Sequence, residues 1–237
     1  MNCRLCHGSG PLRRSHILPE FLHESMYDVK HRFHVLSIIP SQKNSLKQKG
    51  LYEELLCDRC EQLLSKWERY ASLVLKGGVP LSARREGNLW HVSGIDYSQF
   101  KLFQLSILWR ASISSLQFFK NVALGPHDER IRQMLLAEDP GPAARYGCMM
   151  FGLKFNGATL TDLMIQPGRI RLHSHVAYRF IFGGFLWAYI VTNHGVPPML
   201  ERVFLQPSGS AIFLVKDAET AQNLVGFGQE LMRLGRL

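Results

Sequence analysis

Two Cys-x-x-Cys pairs, Cys3 with Cys6 and Cys57 with Cys60, constrain this chain more than any other feature. Four thiolates in two close pairs are what a tetrahedral Zn2+ requires: each pair supplies two ligands, and the fifty residues between them fold back to close the set. Disulfides are the competing use of such cysteines and need an oxidising compartment. No basic-then-apolar signal segment opens the sequence, so a cytoplasmic, reduced chain with a structural zinc is the expectation. The fifth cysteine, Cys148, lies inside the apolar run Tyr146 to Phe151 and is expected to pack as a small buried hydrophobe.

The residues around each pair suggest how the cysteines are presented. His7, Gly8 and Gly10 follow the first pair and suit the tight turn of a knuckle. The second pair opens a helix, because Leu63, Leu64, Trp67, Tyr70, Ala71 and Val74 recur at helical spacing, Gln62, Lys66 and Arg69 take the other side, and Gly77-Gly78 ends the run. Asp58 and Glu61 in its first turn suit the positive end of the helix dipole. A knuckle, a hairpin-sized interval and a helix carrying the second ligand pair predict a treble-clef ββα zinc arrangement.

With 46% hydrophobic and 20% charged residues, disorder, collagen-like sequence and coiled coil are excluded. The longest apolar stretch, Phe180 to Val191, is shorter than the roughly 20 residues that span a bilayer, so no membrane partner is expected. The formal charge is +9, and residues 1–50 hold eight basic against three acidic side chains. Such an excess attracts polyanions. Arg13, Arg14, Lys43, Lys47 and Lys49 are the candidates for contact with a nucleic-acid backbone, a solvated charged face being the plainer use of them.

Between the cysteine pairs lies Leu12-Arg13-Arg14-Ser15-His16-Ile17-Leu18-Pro19, a short strand that presents an imidazole just before the chain turns. With Cys3-x-x-Cys6 before it and Leu56-Cys57-Asp58-Arg59-Cys60-Glu61 after it, the segment resembles the zinc-bearing branch of the HNH, or His-Me finger, endonucleases. The resemblance covers residues 1 to about 76. It implies that His16 is the general base that takes a proton from attacking water. It also implies that Glu61 stands where the helix supplies a ligand to a catalytic Mg2+ or Mn2+. Glu68, two helical turns on and on nearly the same face, is a candidate further ligand or a structural ion-pair partner. The family's acidic ligand directly before the base is Ser15 here, and its middle Asn is missing from Tyr52-Glu53-Glu54-Leu55.

Beyond the finger, residues 77–97 are interrupted by Gly77-Gly78, Pro80 and a polar run, and are expected as a linker. Ser98 to Phe119 is expected as a helix so apolar that it is either buried or an interface for a second copy or a partner protein. A short helix at Pro19–Tyr27, a strand at Phe33–Ile39, a helix at Asp128–Ala137 and a closing helix at Ala218–Leu234 complete the helical and N-terminal elements. Strands are expected at 146–155, 160–166, 169–180, 185–192, 202–206 and 211–215. The fold class is therefore α+β: a zinc-bearing domain at 1–76, then a helical and mostly antiparallel β domain at 98–237. Within 169–180, alternation would place Arg169, Arg171, His173 and His175 on one side as a candidate phosphate-binding stripe, or as an exposed polar face.

Taken with the resemblance, these features lead to the expectation of a metal-dependent endonuclease acting on nucleic acid, DNA before RNA. Restriction and anti-phage defence are roles that the resemblance implies. An inactive zinc-finger nucleic-acid-binding module and an interaction subunit of a larger complex are the alternatives.

Overall fold

The computed structural model describes residues 2–35, 44–48 and 50–217. The chain is α+β. Strand β1 (Leu12–His16) is followed by a hairpin of β2 (Arg32–Val35) and β3 (Ser45–Gln48), then by β4 (Tyr52–Cys57), which runs directly into helix α1 (Asp58–Leu75). β1 and β4 pair antiparallel, with Ser15 opposite Glu53 and His16 opposite Tyr52. The α1 stripe predicted from spacing is the buried one: Cys60, Leu64, Trp67, Ala71 and Val74 all face inward. Gly77 ends the helix in the left-handed region (φ 78°), and the Gly78 N–H donates back to the Leu73 carbonyl at 2.6 Å.

The stretch expected as a linker is structured instead. Strands β5 (Ser82–Glu86) and β6 (Leu89–Ser93) form a hairpin turned at Gly87-Asn88, with Gly87 at φ 59°. A two-residue Gly-Asn connection is a hairpin signal, but the exposed, charged β5 side chains mask the apolar alternation that would mark the strands. Next come α2 (Tyr97–Ile113) and α3 (Pro126–Leu136), then β7 (Cys148–Phe155), β8 (Ala158–Thr159), β9 (Ile165–Leu172), β10 (His175–Phe182) and β11 (Phe185–Val191). The short α4 (Pro198–Glu201) and β12 (Ala211–Asp217) close the described chain.

These strands build one eight-stranded sheet, ordered β5-β6-β12-β7-β11-β10-β9 with β8 hairpinned onto β7. Every pairing is antiparallel except β12 with β7. One face carries Cys148, Met150, Tyr178, Phe180, Phe182, Trp187 and Tyr189 into the main core, and the other packs Met149, Ala177, Ala188 and Ile190 against Leu200 and Phe204.

Helix α2 occupies the middle of the main core. All residues from Phe100 to Ala111 are buried, including Lys101, Gln104 and Arg110. The apolar helix is thus consumed inside its own chain, and its apolar side chains are not left for a partner. It stops at Ile113, short of the expected 119, because Ser114 and Ser115 turn to Glu53 of β4: the Ser115 N–H lies 3.0 Å from Glu53 Oε1 and both hydroxyls donate to the same carboxylate. One core runs from beneath the four cysteines into the sheet, since Leu5, Ile17, Leu64, Trp67, Phe103, Leu108 and Trp187 belong to a single cluster.

Other expected elements shift. The helix at 19–27 is two 3-10 turns, Glu20–Leu22 and Glu24–Met26, separated by His23 at φ −141°. The strand at 160–166 begins only at Ile165, and 202–206 is a turn whose Phe204 and Leu205 supply core contacts. The strand at 169–180 is split into β9 and β10. The closing helix at 218–234, part of the strand expected at 33–39, and Lys43 and Lys49 lie outside the described residues. Among the described residues no helix is long and apolar enough to cross a membrane.

Candidate metal centre and histidine site

The two cysteine pairs meet. The ligand atoms of Cys3, Cys6, Cys57 and Cys60 all lie within 4.8 Å of one another, and Cys6 Sγ is 3.7 Å from Cys57 Sγ. The knuckle turn is closed by the His7 N–H on the Cys3 carbonyl and the Cys3 N–H on the Gly8 carbonyl, both 2.9 Å, with His7 in the left-handed region (φ 60°). Cys3 and Cys60 are buried, Cys57 is half-buried and Cys6 is exposed, and all five cysteines are free thiols. Burial pushes the Cys3 thiol up, but the backbone N–H groups of Cys6, Cys57 and Leu5 outweigh it and hold the thiol down at about 7. Burial and the three neighbouring sulfurs push Cys60 up. Four sulfurs this close cannot all ionise without a cation among them, and a tetrathiolate set of this kind suits a metal such as zinc. Two contacts brace the knuckle: Arg4 N–H to the Leu55 carbonyl at 2.9 Å, and Arg132 of α3 donating to the Leu5 carbonyl. Cys148 is buried as expected, and burial raises its thiol.

His16 ends β1 with its ring half-exposed and edge-on to Tyr52, centroids 6.3 Å apart. Strand alternation sends its neighbour Ser15 inward, fully buried, where the hydroxyl donates to Glu61 in the first turn of α1. The residue standing where an acidic ligand was expected therefore binds the very carboxylate expected to hold the cation. Burial pushes the Glu61 carboxyl up, with Glu68 adding like-charge repulsion; Ser15, Arg110 and His16 act in the opposite direction.

Glu68 is engaged as well. Arg110 of α2, only 1% exposed, places Nη2 2.7 Å from Glu68 Oε1, an ion pair without hydrogen-bond alignment. The same guanidinium donates to the His16 carbonyl from Nη1 at 2.6 Å and to the Ser106 carbonyl from Nε at 3.3 Å. Among the described residues the four cysteines are the only group of three or more His, Cys, Asp or Glu side chains close enough to share an ion. Glu61 and Glu68 therefore do not assemble the set expected for Mg2+ or Mn2+.

Sequence reasoning missed two participants. Arg110 sits on a helix whose apolar composition concealed its single buried guanidinium. His23 lies between the two 3-10 turns, 1% exposed, with its ring against Phe33 and its Nε2 3.4 Å from the Tyr27 hydroxyl. Burial and the nearby His16 hold His23 down at about 4, so it is neutral at physiological pH. A Cβ on Gly50 would fall 2.8 Å from His23 Nε2 and 3.4 Å from His16 Cδ2, so the backbone passes close to both imidazoles here because the residue is a glycine.

Of the basic candidates, Arg13 is exposed and paired with Asp58 at 2.8 Å, and the Arg14 guanidinium lies over the Tyr52 ring, 3.8 Å from its centroid. Lys47 is on β3. The stripe Arg169, Arg171, His173 and His175 is not assembled. His173 and Ser174 both take positive φ, 45° and 68°, and form the two-residue turn between β9 and β10. His175 is then opposite Leu172, while Arg171 is opposite Val176 and Arg169 opposite Tyr178, which leaves only the two arginines on one side. Comparison with protein-family models, with curated proteins and with solved structures finds no match to this chain.

Proposed function

We propose that the N-terminal third is a treble-clef zinc finger of the HNH kind and that the protein is an endonuclease hydrolysing phosphodiester bonds, with DNA as the expected substrate. One observation carries this reading: a half-exposed His16 ends a strand beside the four cysteines, one residue after the Ser15 that donates to Glu61 in the first turn of the helix that carries Cys60. Zinc on Cys3, Cys6, Cys57 and Cys60 would fix the strand relative to the helix. His16 takes the proton of a water attacking phosphorus as the P–O bond to the leaving sugar oxygen breaks and that oxygen takes up a proton from solvent. Glu61, held by Ser15, favours the imidazolium that results. Arg14, spread on the Tyr52 ring, is placed to meet a phosphate beside His16. The described residues do not fit the catalytic Mg2+ or Mn2+ that the resemblance implies, and no step is assigned to it.

The engagement of Glu61 by Ser15 and of Glu68 by Arg110 favours a second reading, a nucleic-acid-binding finger that does not cut. Plasmid DNA and structured RNA incubated with wild type and His16→Ala, with Mg2+, with Mn2+ and with neither ion added, separate the two. Cleavage by wild type that is lost in His16→Ala, at unchanged zinc content and melting temperature, supports the hydrolase. Retained binding with equal background in every lane supports the inert finger and overturns the hydrolase.

A further inference from the structure

We propose that the Arg110 guanidinium stands in for a divalent cation at the carboxylates of α1. Glu61 and Glu68 lie two helical turns apart on α1, with Arg110 Nη2 2.7 Å from Glu68 Oε1 and the Ser15 hydroxyl donating to Glu61. Two half-buried carboxylates on one helix favour a compensating positive charge nearby. Here it comes from α2, which also buries Lys101 and Gln104 and delivers its one guanidinium at this point. An Arg fork can do what a spherical ion cannot: its charge faces Glu68 on one side while a separate N–H donates to the His16 carbonyl, 2.6 Å away, on the other. One side chain therefore both faces a carboxylate of α1 and touches the histidine-bearing strand end. Ser15 completes the arrangement by occupying Glu61 from the strand side.

This inference goes beyond the hydrolase reading, and its binding test does not depend on it. Mn2+ binding to the zinc-loaded full chain, followed by electron paramagnetic resonance, compares wild type with Glu61→Gln and Glu68→Gln. The expected result is less than a twofold change in Mn2+ affinity in either variant. Tenfold or greater weakening in either one would mean that the carboxylates already hold a cation, and overturns the proposal. Arg110→Met, which frees the carboxylates, is expected to gain Mn2+ affinity at least tenfold, and Arg110→Met combined with Glu68→Gln to lose that gain. A folded Arg110→Met with wild-type affinity overturns the proposal too. If Arg110→Met does not fold, the first comparison decides by itself, since it uses carboxamide replacements only. A wild type that fails to cleave nucleic acid refutes the hydrolase and leaves these binding results intact.

Discussion

Replacing His23 by Phe tests whether burial alone accounts for that residue's behaviour. The ring is 1% exposed, lies against Phe33 and Tyr27, and is held at about 4 by burial and by the charge of His16, with Glu20, Glu24 and the Pro19 carbonyl opposing. In the unfolded chain a histidine titrates near 6.5. The folded state therefore binds fewer protons than the unfolded state between these two values, and stability present above pH 6.5 is lost as pH falls towards 4. With these two values, linkage gives a loss of about 2 kcal/mol between pH 7 and pH 5, out of about 3 kcal/mol for the whole window. His23→Phe keeps the ring volume and removes the titration. Urea unfolding of wild type and variant at pH 7 and pH 5, with zinc content checked in each sample, gives the difference of differences. Thiolate protonation and zinc loss are common to both proteins and cancel. The variant should gain about 2 kcal/mol on wild type when pH drops from 7 to 5. A wild-type-to-variant gap that is the same at both pH values would refute the claim that His23 is kept neutral by its surroundings.

Cys3→Ser and Cys6→Ser should each lower bound zinc, measured by atomic emission on gel-filtered protein, and prolonged zinc chelation should melt the finger at a lower temperature than the holo form. Cys3→Ser should be the more damaging, because Cys3 is buried and its sulfur faces three backbone N–H groups, whereas Cys6 is exposed. Gly147→Ala should destabilise by about 1–3 kcal/mol in denaturant unfolding, because its Cβ would fall 2.3 Å from the Phe204 ring, and a truncating Phe204→Leu in the same chain should recover part of the loss.

Local signals were legible where a residue's role depends on its immediate neighbours. The cysteine spacing, the α1 stripe from Cys60 to Val74 and the inward fate of Cys148 follow from periodicity and chemistry along a short stretch. The stripe at 169–175 failed for the opposite reason. Strand and hairpin share the same alternation, and the left-handed backbone of His173 and Ser174 has no Gly or Asn to announce it. Once the chain reverses there, His175 falls on the other face from the arginines.

What the sequence by itself determined is the four-cysteine set that could hold a metal, the α+β class and the placement of a histidine at a strand end between two cysteine pairs. Only the tertiary structure decided what that histidine lives with. Ser15 reaches Glu61 because β1 lies against α1, and Arg110 reaches both Glu68 and the His16 carbonyl because α2 passes beneath them, 94 residues further along the chain from His16. A buried charge is fixed by the partner that compensates it, and such partners are brought together by packing across long sequence separations, which no local pattern records.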